Sequence, residues 1–284
     1  MPRRYRWLIP YLFLIPGGLW LLAFFVVPML VMASVSLQEG SLGTGYALTW
    51  NFGVYPEMIQ QWAPQFGRSL WYSLIVTALT LAVGYPMAYT IAFRGGRFKN
   101  ILLLLVILPF FTAYIIRTLS WKLILADNGF VLGTLKDVGI LEAGFRVIAT
   151  PIAVISGLTY NFLPFMVLPL YVALEKIDPK LVEAATDLYA SRLQAFRRIT
   201  LPLSMPGVFA GSLLTFIPAI GDFINSEILG SRDTTMIGQV IQRLFLNNNA
   251  YPEAAALGFT LMAGILLLIF FYARAVGADE LTRG

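Results

Sequence analysis

Four charged side chains fall inside stretches otherwise suited to hydrocarbon: Arg117 and Lys122 in one apolar run, Asp222 and Glu227 in another. Ionisable groups at membrane depth are costly, and they mark either functional sites or charge pairs. Two chemistries are open to them. Carboxylates at the outer end of a pathway can receive a cationic solute, each ammonium pairing with an acid. Alternatively, the acids neutralise the bases of the same chain. Counted from Ile101 and Pro206, Arg117 and Asp222 lie at equal depth, and so do Lys122 and Glu227. If the two helices are neighbours, Arg117–Asp222 and Lys122–Glu227 are the expected intramembrane pairs. Both roles stay open for Asp222, while Glu227 reads as structural or gating. The acids stand roughly 24 and 32 Å from Pro206, and their spacing separates them by about 140° on an unbroken helix. They share a face only where Pro218-Ala219-Ile220-Gly221 loosens that helix. Aromatic faces attract ammonium groups, and Trp71, Tyr114, Trp121 and Tyr160 are the candidate rings, although aromatics also anchor membrane helices.

Most enzymatic chemistry is excluded. The 284 residues contain no Cys and no His. Disulfides, thiol nucleophiles, Cys/His zinc sites and Ser-His relays therefore cannot be built. The lysines follow Phe98, Trp121, Leu135, Glu175 and Pro179, so no Gly-Lys-Ser/Thr phosphate loop exists. Nucleotide hydrolysis, if the protein uses it, belongs to another chain. No catalytic residue, metal site or cofactor is predicted, and the chain reads as not an enzyme. One enzymatic rival, an intramembrane aspartyl protease, is prompted by Gly221-Asp222. It needs two aspartates sharing a proton, and Asp127 beside Asn128-Gly129 is the other candidate near a span. An ion channel is a further alternative.

The elements that must position these groups follow from composition. The chain is 58% hydrophobic and 12% charged, with mean hydropathy +0.75. Soluble domains carry about 25% charged residues. Six stretches are long enough to cross a bilayer: Leu8–Leu37, Ser69–Phe93, Ile101–Leu125, Val147–Leu170, Pro206–Leu229 and Pro252–Ala273. The first exceeds a signal-peptide core of about 7–15 residues, so it reads as a retained span. One side of this arrangement collects 13 Lys and Arg residues, among them Arg3, Arg4, Arg6 and Arg283, against 5 on the other. The positive-inside rule then puts both termini in the cytoplasm. The net charge of +5 is thus a topology signal, and no nucleic-acid partner is expected. The expected fold is an all-α membrane protein with six transmembrane helices, in contact with membrane lipid.

The second cytoplasmic connection, Tyr171–Met205, is long and amphipathic. Asp178-Pro179 is a helix start, with an N-cap acceptor and a preset φ. Leu181, Ala184, Ala185 and Leu188 form one apolar stripe; Ser191 offers a second N-cap, and Pro202 is expected to stop the second short helix. Periodicity alone also allows a hairpin resting on lipid. Glu183-Ala184-Ala185 followed by Phe196, Ile199, Leu201 and Pro202 resembles the EAA loop of bacterial ABC importer permeases. The resemblance implies that Glu183, Ala184, Ala185, Tyr189, Phe196, Leu201 and Pro202 couple the permease to an ATPase subunit. Where the family pattern has Gly, this sequence has Tyr189, which at positive φ is strained.

The resemblance covers most of the chain. It implies an N-terminal helix and external loop (1–67), a five-helix type I importer core (68–273) with a coupling loop at 175–202, and a cytoplasmic tail (274–284). It also implies a second permease subunit, two ABC ATPase subunits and an extracytoplasmic solute-binding protein in a bacterial plasma membrane. Phe216-Ile217-Pro218-Ala219-Ile220-Gly221-Asp222-Phe223 and Glu227-Ile228-Leu229-Gly230 are similar to spermidine/putrescine permeases. So are Met236-Ile237-Gly238, Asn247-Asn248-Asn249 before Tyr251-Pro252, and Leu108-Pro109-Phe110-Phe111. These stretches resemble the first of the two permease chains in that subfamily and imply polyamine import. An importer for a phosphonate, iron or a sulfur oxyanion is the alternative within the superfamily.

Overall fold

A chain in hydrocarbon must satisfy its backbone internally, which favours helices. The computed structural model describes residues 8–142 and 144–280, and helices dominate them. Arg3, Arg4, Arg6 and Arg283, used above for orientation, lie outside the described residues. Helix α1 (Leu8–Leu21) continues through a π-helical turn into α2 (Val27–Ser36). Strands β1 (Gln38–Ser41) and β2 (Gly45–Leu48) form an antiparallel hairpin, Gln38 opposite Leu48. The fold is otherwise helical, as expected, and this short hairpin is an element the sequence reading did not anticipate. Gly45 at φ +79° makes the reversal, and Ser41 and Thr44 hydroxyls bond across it. The long α3 (Val54–Arg94) and α4 (Lys99–Ile107) follow, then α5 (Tyr114–Ile124), α6 (Phe130–Asp137) and α7 (Pro151–Glu175). The chain ends with α8 (Pro179–Asp187), α9 (Arg192–Ala195), α10 (Leu201–Ile220), α11 (Ile224–Leu229), α12 (Ile237–Leu246) and α13 (Tyr251–Glu280).

Among the described residues, five helices are long and apolar enough to cross a membrane: Phe13–Ser36, Val54–Arg94, Pro151–Glu175, Arg192–Ile220 and Tyr251–Arg274. The run expected as one span, Ile101–Leu125, forms a bent pair, Gly96–Phe111 and Tyr114–Ile124, meeting at 96°. Pro109 cannot donate to the carbonyl of Leu105, the helix tightens over Leu108–Phe111, and Thr112 and Ala113 turn extended. The run expected over Pro206–Leu229 also breaks. Its helix ends at Ile220, and Gly221-Asp222-Phe223 separates it from α11.

Prolines elsewhere are absorbed without a break. Pro28 and Pro202 each stand two residues after the end of a π-helical turn, Leu22–Val26 and Phe196–Thr200. The wider turn makes room for the carbonyl four residues back that a proline ring would otherwise strike. Pro202 therefore does not end the second short helix. The helical path runs from Arg192 through α9 and the π turn into α10.

The chain forms two compact units, residues 1–62 with 241–264, and residues 63–240 with 265–284. In the first, the Ser36 hydroxyl meets Tyr55 Oη at 2.7 Å. There Tyr46 donates to the Asn249 carbonyl, and the Tyr251 ring touches both Tyr46 and Phe245. The second unit is built around α7, whose composition is apolar on all faces, as befits a buried helix. Val154, Leu158, Met166, Val167, Leu170 and Leu174 are all inaccessible to solvent.

Candidate functional site

The two breaks meet in one buried polar junction. The bend frees Tyr114 to begin α5, and the second break leaves Asp222 outside any helix. Tyr114 Oη donates to Asp222 Oδ2 at 2.5 Å. The backbone N–H of Asn225 donates to Asp222 Oδ1 at 2.8 Å, and its Nδ2 reaches the same oxygen at 3.3 Å. Asp222 therefore caps the first turn of α11, a role typically worth about 1 kcal/mol. Asn225 Nδ2 also donates to Tyr114 Oη at 2.5 Å. Asn161 of α7 extends the network: its Nδ2 donates to Thr118 Oγ1 and to Asn225 Oδ1, each at 3.2 Å. Gly157, one turn earlier on α7, makes this approach possible. A Cβ there would lie 2.4 Å from Leu229 Cδ1 and 2.9 Å from Asn225 Oδ1.

The expected charge pairs do not form. Arg117 is 8% exposed, and its guanidinium makes no ion pair with Asp222. It lies over the rings of Phe110 and Tyr114, 5.0 and 5.4 Å from their centroids, with Nε and Nη1 buried and lacking an acceptor. Lys122 is exposed, and Glu227, also exposed, accepts from Gln239 instead. The equal-depth argument required two unbroken helices, and both are broken. Asp127 is bound by Lys136 at 3.7 Å and Arg146 at 3.1 Å. It is thus engaged by two bases in the loop after α5, not poised to share a proton with Asp222 as an aspartyl protease requires.

The aromatic candidates divide. Trp121 stacks on Tyr160 with centroids 5.2 Å apart and planes 3° from parallel, and Trp121 Nε1 donates to Ser156 Oγ at 3.2 Å. Tyr114 belongs to the junction, whereas Trp71 stands exposed on α3. Sequence reasoning missed Thr118, Asn161 and Asn225, and also Ser226 and Gln239, whose side chains bond at 2.7 Å in a second buried network. A signal was present: an Asn or Gln inside an apolar run must find a partner or stay costly.

The segment at 175–202 has the expected caps. Asp178 accepts from the Lys180 N–H, and Ser191 forms a capping box with Gln194. Between the helices Tyr189 adopts φ +62° and is 97% exposed. Its N–H donates to the Thr186 carbonyl, and the Ala190 N–H donates to the Ala185 carbonyl. These two bonds define a Schellman turn, which ordinarily favours Gly at this position. Glu183 and Ala184 are exposed on α8, with Ala185 half-buried. Phe196 packs edge-on to Tyr85 and Tyr89 of α3, and Tyr85 Oη bonds Ser204 Oγ at 2.8 Å. Leu201 and Pro202 open α10.

Residues 82–277 match the model of the family described as binding-protein-dependent transport system inner membrane component. The chain is 40% identical over 266 residues to the spermidine/putrescine transport system permease protein PotB of Haemophilus influenzae, covering 90% of each chain. It is 37% identical over 257 residues to PotB of Escherichia coli K12, covering 89% of this chain and 94% of that one. In fold it resembles a bacterial ABC transporter for alginate import, with TM-score 0.72 at 23% identity over 96% of both chains. A second likeness, to the MetNI methionine ABC transporter, has TM-score 0.55 at 19% identity, covering 80% of this chain and 97% of that one. The chain belongs to the family of binding-protein-dependent transport system inner membrane components.

Proposed function

We propose that this chain is a permease subunit of an ATP-driven importer of polyamines of the spermidine/putrescine class. The observation that carries the solute choice is the similarity to PotB proteins at 37–40% identity across about nine-tenths of the chain. In this reading the bent pair counts as one crossing, which makes six. Both termini face the cytoplasm, in keeping with 13 basic residues against 5. The chain supplies half of the translocation pathway. A second permease supplies the other half, two ATPase subunits hydrolyse the nucleotide, and an extracytoplasmic protein delivers the solute.

The coupling role goes to α8 and the turn after it. Leu181, Ala184 and Leu188 present an apolar stripe that is exposed among the described residues, as a helix does when it seats in a partner's groove. Asp222, with both oxygens engaged by this chain's own donors, serves as the cap that holds the break in the fifth run. The Trp121–Tyr160 stack, with Tyr160 partly exposed, is the better candidate to meet an ammonium group.

The test is uptake of labelled spermidine by cells lacking this chain, with and without complementation, and with unlabelled putrescine as competitor. Uptake restored only on complementation supports the polyamine reading. Unchanged uptake, with partner subunits expressed and no second polyamine system, discards that solute.

A further inference from the structure

We infer that Tyr114 is an interposed switch between two buried opposite charges, and that a second conformation of the permease pairs Arg117 with Asp222. The inference rests on the reading of the chain as a permease that alternates between two conformations.

Tyr114 separates the charges by occupying both. Its hydroxyl takes Asp222 Oδ2 at 2.5 Å, while its ring faces the Arg117 guanidinium at 5.4 Å. Arg117 is left with Nε and Nη1 buried and without an acceptor, although it is nine-tenths buried. Two buried N–H groups of a cation without acceptors are a costly arrangement, and pairing with the Asp222 carboxylate offers a better one. Tyr114 and Arg117 stand one turn apart on α5 and so share a face.

The helical backbone around the three residues is interrupted in both spans. The 96° bend lies immediately before Tyr114, and Gly221-Asp222-Phe223 is non-helical. Both spans carrying the charges are therefore hinged at the junction itself. When Tyr114 leaves, Asn225 Nδ2 gives up its bond to Tyr114 Oη, and the other bonds of the network remain. Asn225 keeps its backbone bond to Asp222 Oδ1, and Asn161 keeps Thr118 and Asn225. One ring must swing; Arg117 then takes the vacated Oδ2.

The chain contains no cysteine, so Phe223→Cys at the break supplies a single reporter thiol. The experiment measures its rate of maleimide labelling in the full complex in lipid nanodiscs, without polyamine. Tyr114→Phe keeps the ring but removes its hydroxyl, and it should raise the labelling rate about tenfold, a change of the size expected for residues within one network. Adding Arg117→Gln should cancel that increase, whereas Arg117→Lys should preserve it. Equal effects of Tyr114→Phe with and without Arg117 overturn the switch.

Should Tyr114→Phe fail to insert, Arg117→Gln alone is decisive. It should lower labelling of the ATP-loaded complex about tenfold and leave the resting rate unchanged, since the lost pair exists only in the second conformation. Unaltered ATP-loaded labelling refutes the inference. Because no polyamine is present, failure of spermidine uptake discards the solute while leaving this result untouched.

Discussion

Tyr189 holds a left-handed conformation that a Cβ-bearing residue adopts at a cost of about 1 kcal/mol or more, and its ring is almost wholly exposed. No ring contact among the described residues offsets that cost. Replacing Tyr189 with Gly should therefore make α8 more resistant to local opening than replacing it with Ala, by about 1 kcal/mol. Hydrogen exchange of the α8 amides reads this directly: protection in the Gly variant should exceed that in the Ala variant about fivefold. Equal protection would mean that the turn relaxes to another geometry when the ring is removed. The turn was legible in the sequence because caps are local. Asp178 and Ser191 are read from neighbours within a few residues, while Tyr189 stands out only through the resemblance, at the place where the family pattern has Gly. Arg117 and Asp222 were legible as costly groups but not as partners of Tyr114 and Asn225. Their pairing depends on where two distant helices break, and that is decided by packing.

Proline has three outcomes among these elements, and the surrounding turn decides which. Before Pro28 and Pro202 a π-helical turn makes room and the helix continues. At Pro164 and Pro169 α7 runs on within its packed surroundings. After Pro109 and Pro218 the helices end, at Phe111 and Ile220. Length and composition, intrinsic to each run, located the five long apolar helices and the bent pair. They could not tell a tolerated proline from a breaking one. The break after Ile220 is also held from outside. A Cβ on Gly238 in the first turn of α12 would stand 2.2 Å from the Gly221 carbonyl oxygen and 3.1 Å from that of Asp222. Gly238→Ala must push α12 off the break, at an overpacking cost of about 1–3 kcal/mol. Gly264→Ala in α13 meets open space and is the matched control. Thermal unfolding of the purified complex should show a lowered midpoint for the first variant and none for the second. An unchanged midpoint for Gly238→Ala would mean that the backbone contact yields freely.

At the scale of the whole molecule, the apolar residues on the outside matter as much as those inside. Large side chains such as Phe13, Phe111, Leu123 and Phe271 are mostly exposed. In a chain of this composition such surface is covered by lipid tails or by another subunit. The exposed stripe of α8 differs, because charged residues interrupt it. Glu183 stands exposed beside Ala184 and forms none of the ion pairs found among the described residues. Reversing its charge therefore breaks no ion pair among the described residues. If α8 seats in an ATPase subunit, Glu183→Lys places a like or unpaired charge in a desolvated contact, where losing one partner of a charge pair typically costs about 2–5 kcal/mol. The expected outcome is a chain that inserts in the membrane in normal amount, is recovered with less ATPase subunit on purification, and supports less than about a tenth of normal uptake, the fold-change equivalent to about 1.4 kcal/mol. Normal uptake with normal ATPase recovery would remove Glu183 from the coupling contact. Loss of uptake with full ATPase recovery would instead put its role in transmitting the movement after docking. Membrane amount, subunit recovery and uptake, taken from one preparation, separate these cases.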